Sequence, residues 1–381
     1  MKLLFTKSDL THAVQTVQAS ISTKSTLPIL SNLLIYVSAP VKNSTPKVYM
    51  EATDLEVGVR CTVKAEIVQA GKITIPAKKF GELIREMPED KEIELSSGDG
   101  KRIDLKCGKV RATLHALPPE DFPTIPQFPD SEFFQLNKSV FRDMVRKTSF
   151  AISTDETRHV LNGILFAVND GELRMVATDG RRLALISRDG AEKKSAARVI
   201  IPSKAINELL RLLALSEAQE EDWVQIAPSQ NQIAFKWMNS EQENVIVSRV
   251  IDGTFPNYDQ VIPKSKEIEL KINRSEILSA VRRASLFAQD RGGSVKFSLA
   301  KKVLKISANA QGVGEEEEEL EVNYDGPNFE IAFNPAFLLD VLKNNDQPEV
   351  LFEFSTALNP GVIKPSTNNH YTCVIMPMRL Q

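Results

Sequence analysis

Cysteine is scarce in this sequence. Its 381 residues include three cysteines, and Cys61, Cys107 and Cys373 lie far apart in the chain. An odd and dispersed set of cysteines excludes a disulfide framework and the paired spacing of a zinc site. Such usage is typical of a reducing compartment, so we expect a cytoplasmic protein without disulfides.

Long apolar runs are absent as well. No stretch approaches the ~18 residues that would span a bilayer, and the first residues lack the apolar core and cleavage site of a signal peptide. Lys and Arg number 47 and Asp and Glu number 50, so the formal net charge is −3. We therefore expect no membrane partner, and any contact with nucleic acid must use a local basic patch.

The sequence also lacks a recognisable active site. The four histidines are His12, His115, His159 and His370. None lies in a nucleophile motif, and no metalloprotease, phosphate-loop or dinucleotide signature occurs. Asp179 could be a catalytic carboxylate, but Asp179-Gly180 between two β-rich runs more strongly indicates a tight hairpin turn. We expect a protein that is not an enzyme and that uses no cofactor or metal.

Two sequence markers each occur three times. The first begins with an apolar residue, Thr or Asn, a base and Ser, and continues with apolar residues at helical spacing; it covers 5–22, 136–153 and 272–289. Ser and Asn at that point are good helix N-caps. The second marker is a short apolar strand, a proline and an amphipathic helix, at 73–84, 199–210 and 331–342. Both markers therefore predict helices in each copy.

Both markers recur at intervals of about 130 residues, which predicts three copies of one domain. Each copy contains two helices among several antiparallel strands, an α+β unit. Linkers with Phe-Pro followed by Ile-Pro close the first two copies, at 117–126 and 254–263. We predict domains at 1–128, 129–264 and 265–381.

Charged residues form two local patterns. Lys138, Arg142 and Arg146 lie four residues apart, so they would form a basic stripe on one flank of the second-copy helix. This stripe could contact nucleic acid, or it could be a solvated helix face. Residues 315–319 are consecutive glutamates, which predicts a solvated loop or an edge strand.

Four segments together resemble signatures of the bacterial DNA polymerase III β subunits, the sliding clamps of replication: 27–34, 177–184, 252–256 and 374–380. The resemblance covers the whole chain. It implies three clamp-type domains, helices lining a central hole with antiparallel sheets outside, and a ring closed as a head-to-tail dimer. It also implies a non-catalytic processivity factor that encircles duplex DNA of any sequence. Such a factor tethers the replicative polymerase, the clamp loader and repair proteins through their short linear motifs.

The resemblance assigns three sets of binding residues. The DNA-facing positions would be Lys24, Lys138, Arg142, Arg146, Arg158, Arg282 and Arg283. The pocket for partner peptides would be formed by Leu161, Thr178, Gly180, Arg181, Arg182, Leu183, Pro256, Val261, Tyr324, Leu358, Asn359, Pro360, Val374, Ile375, Met376, Pro377, Met378, Arg379 and Leu380. Leu286 and Phe287 would lie at the dimer contact.

The sequence departs from the family pattern at several positions. His159 and Val160 stand where some members have aromatic residues that touch DNA. Arg181 replaces a frequent His and Gln260 a frequent Arg, so the rim of the pocket differs in charge. The alternative function is a peptide-binding adaptor with the clamp fold, such as a resistance paralogue, that does not encircle DNA.

Overall fold

The computed structural model describes residues 1–21, 26–39, 45–98, 100–129, 132–189, 196–215, 222–239, 241–288, 293–367 and 370–379. Helices in these residues are α1 (Lys7–Gln18), α2 (Ala77–Arg85), α3 (Lys138–Ser149), α4 (Ser203–Leu213), α5 (Arg274–Ala284) and α6 (Pro335–Lys343). The strands are β1 (Lys2–Phe5), β2 (Asn32–Val37), β3 (Val48–Thr53), β4 (Val57–Val63), β5 (Glu66–Gln69), β6 (Lys72–Pro76), β7 (Ile93–Ser96), β8 (Arg102–Cys107), β9 (Val110–His115), β10 (Phe134–Asn137), β11 (Gly163–Asn169), β12 (Glu172–Thr178), β13 (Arg182–Asp189), β14 (Ala197–Pro202), β15 (Trp223–Pro228), β16 (Gln232–Asn239), β17 (Gln242–Arg249), β18 (Ile268–Asn273), β19 (Val295–Ala300), β20 (Val303–Ala310), β21 (Gly314–Glu321), β22 (Phe329–Phe333), β23 (Glu349–Phe354), β24 (Gly361–Pro365) and β25 (Tyr371–Ile375). The chain divides into two compact units: unit 1 is 1–142 with 204–250, and unit 2 is 143–203 with 251–381.

The repeated sequence markers are helices, as predicted. The first marker forms α1, α3 and α5, and the second forms α2, α4 and α6. The residue before each first-marker helix caps it, because its side-chain oxygen accepts a backbone N–H of the first turn that has no partner within the helix. These capping residues are Thr6, Asn137 and Asn273. The three copies therefore begin their helices for the same physical reason.

Unit 1 contains two antiparallel sheets. One has the strand order β5–β1–β7–β8–β9, and the other has the order β10–β15–β16–β17–β4–β3–β2–β6. Strand β17 pairs with β4, with Ile246 opposite Val59. Strands of the first and second sequence copies therefore share one sheet. Buried and exposed residues alternate along β8, as expected of an antiparallel strand with one face on the core.

Unit 2 is built in a similar way. It contains the sheets β14–β11–β12–β13–β25–β24–β23–β18 and β21–β20–β19–β22. Strand β13 pairs with β25, with Leu183 opposite Val374, so the second and third copies also share a sheet. The glutamate run lies in β21, at the edge of its sheet. Of the two predicted environments for that run, the edge strand is therefore confirmed.

The two units do not coincide with the three sequence copies. Each eight-stranded sheet continues from one copy into the next, so the middle copy contributes strands to both units. One unit boundary falls inside α3 and another at the start of α4. The domain limits at 128 and 264 therefore stay predictions from the sequence.

Candidate functional site

A small apolar pocket lies on unit 2, where the turn between β12 and β13 meets β25 and the linker that follows Pro256. Its volume is about 130 Å³. The lining residues are Leu161, Thr178, Gly180, Arg181, Arg182, Leu183, Pro256, Tyr258, Val261, Val374 and Met376. Except for Tyr258, all of them are among the residues that the sequence placed in a peptide-binding pocket. The structure therefore brings together residues that are distant in the chain.

The turn at the mouth of the pocket is held by side-chain hydrogen bonds. Thr178 Oγ1 donates to Arg182 O at 2.6 Å and accepts from Gly180 N at 3.1 Å. Asp179 Oδ1 accepts from Arg181 N at 2.9 Å and from Arg182 N at 3.0 Å. Gly180 has a φ of +82°, which a residue with a Cβ adopts at a cost. The carboxylate of Asp179 therefore shapes the turn, in agreement with the hairpin interpretation.

The floor of the pocket is hydrophobic. Leu161, Leu183, Phe255, Tyr258 and Val374 belong to one buried cluster of unit 2. At the rim, Met376 is 39% exposed and Val261 is 43% exposed. Burying one aliphatic side chain in such a site contributes roughly 1.5–3 kcal/mol. The pocket can therefore bind apolar side chains without any chemical step.

Two arginines stand beside the turn. Arg158 Nη1 donates to Asp179 O at 3.2 Å, and a Cβ built on Gly180 would lie 2.9 Å from the same nitrogen. This places Arg158 next to the pocket, although the sequence had assigned it to DNA. Arg181 is exposed and makes no side-chain hydrogen bond or ion pair with the described residues. The rim is thus positively charged around an apolar floor.

Arg182 lines the pocket but its guanidinium is used inside the protein. It donates to Asp179 Oδ2 at 3.0 Å, to Asp340 Oδ2 at 2.6 Å and to Phe150 O at 2.6 Å. The guanidinium carbon also lies 4.5 Å from the centre of the Phe337 ring, a favourable cation–π distance. These contacts already satisfy the guanidinium, and the assignment of Arg182 to the peptide-binding pocket stays a prediction.

The remaining predicted pocket residues lie outside the lining of this cavity. Ile375 is buried in β25, and the Tyr324 hydroxyl donates to Pro327 O at 2.6 Å. Pro360 lines a separate cavity beside Lys264. The other residues in this group are Leu358, Asn359, Pro377, Met378 and Arg379, whereas Leu380 is outside the described residues. The segment that follows β25 is nevertheless held near the pocket, because Met376 N donates to Arg181 O at 2.8 Å.

Tyr258 is the pocket residue that the sequence prediction missed. It begins the short 3-10 turn Tyr258–Gln260 and is buried in the cluster beneath the pocket. A signal was present, because Tyr258 lies between Phe-Pro and Ile-Pro in the second linker, whereas only Thr124 lies between them in the first. Comparison of the two linkers could have identified it.

The predicted basic stripe on α3 is only partly a free basic surface. Arg142 is exposed and makes no ion pair with the described residues. Arg146 is paired with Asp143 at 2.7 Å and also with Asp346. Lys138 is fully buried, and its Nζ donates to Asn239 Oδ1 at 2.8 Å. Burial lowers the pKa of Lys138, against the opposing effect of Asp222. Lys138 is therefore a core residue, and its assignment to DNA is wrong.

The third-copy helix α5 repeats this contrast. Arg282 is exposed without an ion pair in the described part of the chain, whereas Arg283 makes two hydrogen bonds to Glu318, at 2.7 and 2.8 Å. Lys24, the predicted first-copy base, lies outside the described residues. Arg142 and Arg282 are therefore the predicted bases whose charge is most available to a phosphate.

The predicted dimer residues lie in the short turn that follows α5. Leu286 is 60% exposed and Phe287 is half-buried. A Cβ built on Gly314, at the start of β21, would lie 3.5 Å from the Phe287 ring. Leu286 is thus an exposed apolar side chain beside the acidic edge strand.

Two other kinds of site were sought in the described residues. They contain no group of three or more His, Cys, Asp or Glu side chains placed to hold a metal ion. None of their helices is long and apolar enough to cross a membrane.

Comparison with known proteins gives consistent matches along the chain. Three family models match it: the N-terminal, central and C-terminal domains of the DNA polymerase III beta subunit, at residues 1–126, 135–257 and 259–379. The beta sliding clamp of Chlamydia muridarum is 34% identical over 381 residues, which cover 100% of this chain and 99% of the relative. The beta sliding clamp of Pseudomonas aeruginosa is 34% identical over 369 residues and 96% of each chain.

Solved structures are similar over the same length. A Pseudomonas aeruginosa sliding clamp bound to griselimycin has a TM-score of 0.90 and 33% identity, with 100% of each chain covered. A Bacillus subtilis sliding clamp has a TM-score of 0.91 and 27% identity, again over 100% of each chain. The three-domain α+β architecture predicted from the repeats is therefore confirmed.

Proposed function

The chain belongs to the DNA polymerase III beta subunit family and is a non-catalytic DNA sliding clamp, and we propose that it tethers its partners through the apolar pocket of unit 2. The observation that carries this proposal is the cavity between the Thr178–Arg182 turn, Tyr258 and Val374. Short linear motifs of the replicative polymerase, the clamp loader and repair proteins would place apolar side chains there. The tether then raises the effective concentration of a partner at the DNA.

We further propose that Arg142 and Arg282 supply most of the contact with DNA phosphates. Both are exposed and without ion pairs in the described residues, whereas Arg146 and Arg283 are held by carboxylates. Phosphate contacts are independent of sequence, and they weaken at higher salt because the release of counterions from DNA is then less favourable. A protein that must hold any sequence and still slide needs this kind of contact.

We propose that a homodimer closes the ring head to tail. Two edge strands with free backbone groups support this: β9, which carries Arg111, and β21, which carries the glutamates. Their opposite charges suit a contact between the two copies, with Leu286 as its exposed apolar residue. The predicted limits 1–128, 129–264 and 265–381 would then give six domains per ring, acting on DNA in the cytoplasm.

Retention on circular DNA tests this function. Once loaded, the protein should stay on a closed circle in high salt and dissociate when the circle is cut. Met376→Asp should remain on the circle but fail to retain polymerase, because a carboxylate at the rim opposes burial of an apolar motif. Equal retention on cut and closed DNA, with a monomeric mass in sedimentation, would instead favour the peptide-binding adaptor.

A further inference from the structure

Unit 1 repeats the construction of the unit 2 pocket. Thr53 Oγ1 donates to Val57 O at 3.0 Å and accepts from Leu55 N at 3.1 Å. Asp54 Oδ1 accepts from Glu56 N at 3.0 Å and from Val57 N at 2.9 Å. These are the same four hydrogen bonds, at the same spacing, as in the Thr178–Arg182 turn. The two turns are therefore equivalent in backbone and in capping chemistry.

The walls around the unit 1 turn are equivalent too. Arg249 N donates to Glu56 O at 3.0 Å, as Met376 N does to Arg181 O. Val247 lies opposite Gly58 in the sheet, as Val374 lies opposite Leu183. Together with the linker after Pro123, these residues line a cavity of about 230 Å³. A second cavity therefore occupies the equivalent place in unit 1.

The unit 1 linker partly fills this cavity. A Cβ built on Gly58 would lie 3.0 Å from the Ile125 side chain, so Ile125 covers the position where unit 2 has the side chain of Leu183. Arg60 Nη2 donates to Ile125 O at 3.0 Å and holds the linker there. Ile125 therefore forms part of the cavity wall, and an aliphatic side chain can pack beside it.

Leu55 marks the mouth of this cavity. It has a φ of +78°, where the equivalent residue in unit 2 is Gly180. It is also 45% exposed. A leucine in this conformation carries backbone strain of order 1 kcal/mol, and its exposed side chain makes little compensating contact in the free chain. An incoming apolar group would bury the Leu55 side chain and supply the contacts that it lacks in the free chain.

The charges at the rim differ from those in unit 2. Lys204 pairs with Asp54 and, at 2.9 Å, with Glu56, so one cation faces two carboxylates. Arg249 is exposed, and its guanidinium has no hydrogen bond or ion pair in the described part of the chain. Arg249 also takes the place of Met376. The net charge of Lys204, Asp54, Glu56 and Arg249 is therefore zero, and the Arg249 guanidinium is the group left to pair with a carboxylate on the ligand.

We propose that the unit 1 cavity is a second peptide-binding site, which takes a short extended peptide with one aliphatic side chain next to an acidic residue. The aliphatic group packs between Leu55, Val247 and Ile125, and the carboxylate pairs with Arg249. This site goes beyond the proposed function, because the unit 2 pocket can tether a partner without it. Two sites of different charge preference on each chain would allow two partners to be held at once.

Methyl NMR of the full-length protein tests both pockets in one titration. The probe is the peptide acetyl-Ala-Leu-Asp-Ala-amide, and its matched control carries Asn in place of Asp. We expect the methyl signals of Leu55 and Ile125 to shift with a saturable dependence on the Asp peptide. Binding of the Asn peptide at these signals should be roughly tenfold weaker, because a charge-assisted pair is lost.

Two variants separate binding from folding. Arg249→Ala should weaken the Asp peptide at Leu55 and Ile125 about tenfold, leave the Asn peptide unchanged, and leave the response of Val374 in unit 2 unchanged. Leu55→Gly should weaken both peptides at Ile125 while it keeps the native spectrum, since glycine accepts the positive φ.

The proposal is overturned if Leu55 and Ile125 do not respond at peptide concentrations that saturate Val374, or if Arg249→Ala affects both peptides equally. If Val374 fails to respond and Ile125 responds, the function proposed for unit 2 is at fault and the second site stands.

Discussion

The Thr53–Val57 turn of unit 1 and the Thr178–Arg182 turn of unit 2 share one set of four hydrogen bonds but differ in every side chain that faces outward. Unit 1 has Leu55 where unit 2 has Gly180, and Arg249 where unit 2 has Met376. Unit 2 therefore has an apolar mouth with a basic rim, and unit 1 has Leu55 at its mouth and the unpaired guanidinium of Arg249, among the described residues, at its rim. The comparison shows that a repeated backbone can be kept by local capping while the ligand chemistry changes.

Arg182→Ala should give the largest effect, because unit 2 depends on this side chain and unit 1 has Val57 in its place. Loss of the guanidinium leaves Asp340 and Phe150 O without their donor in a largely buried site. We expect the free energy of unfolding of unit 2 to fall by roughly 3 kcal/mol. Urea denaturation followed at a unit 2 probe measures it, with exposed Arg181→Ala as the control that should change little. Equal effects of the two substitutions would contradict the distinction.

Gly180→Leu copies the unit 1 residue into unit 2. The φ of +82° and the 2.9 Å approach of Arg158 Nη1 should together lower the stability by about 1–2 kcal/mol. The leucine side chain should also cover the mouth and weaken peptide binding there at least tenfold. Isothermal titration with a partner peptide measures the affinity. Unchanged binding would mean that peptides enter away from this turn.

Met376→Arg copies the unit 1 rim instead. It removes an apolar contact and adds a second charge close to Arg181, so we expect about tenfold weaker binding of an apolar peptide in the unit 2 pocket, or ~1.4 kcal/mol. An acidic peptide should lose less affinity. Titration of both peptides at two salt concentrations checks this, and a loss independent of peptide charge would argue against an electrostatic difference between the rims.

Leu55→Gly should have the smallest effect on stability. Relief of the positive φ offsets the larger entropy of glycine in the unfolded chain, so the free energy of unfolding should change by less than about 1 kcal/mol. The same substitution at buried Leu183 should be strongly destabilising, because it leaves a cavity under the pocket. Thermal unfolding of the two variants gives the comparison.

The helices could be predicted because N-caps and helical spacing are local features that recur in each copy, whereas the pocket residues followed from the resemblance to the family and their binding role stays a prediction. The caps at Thr6, Asn137 and Asn273 and the Asp-Gly turn are local, and they are found in the structure. The burial of Lys138 could not be predicted, because its partners are distant in the chain: Asp222 directly precedes β15 and Asn239 ends β16. Helical spacing alone cannot show which end of a basic stripe is buried.

The ion pairs of Arg146 with Asp346 and of Arg283 with Glu318 could not be predicted for the same reason. Contacts between residues distant in the chain decide whether a basic side chain is paired with a carboxylate. The internal contacts of Arg182 could not be predicted either, because its partners Asp340 and Phe337 belong to α6 of the third copy. Tyr258 was missed because one extra turn in a linker has no periodic signal.

The sheet pairings of β4 with β17 and of β13 with β25 have a mechanical consequence. Separating β4 from β17, or β13 from β25, would break a whole ladder of backbone hydrogen bonds at once. These two strand pairs should therefore resist shear and bending. A contact between separate chains, held by side chains and an edge strand, yields at a smaller force. In the proposed head-to-tail ring, the clamp loader would therefore open the contact between subunits and leave these internal strand pairs intact.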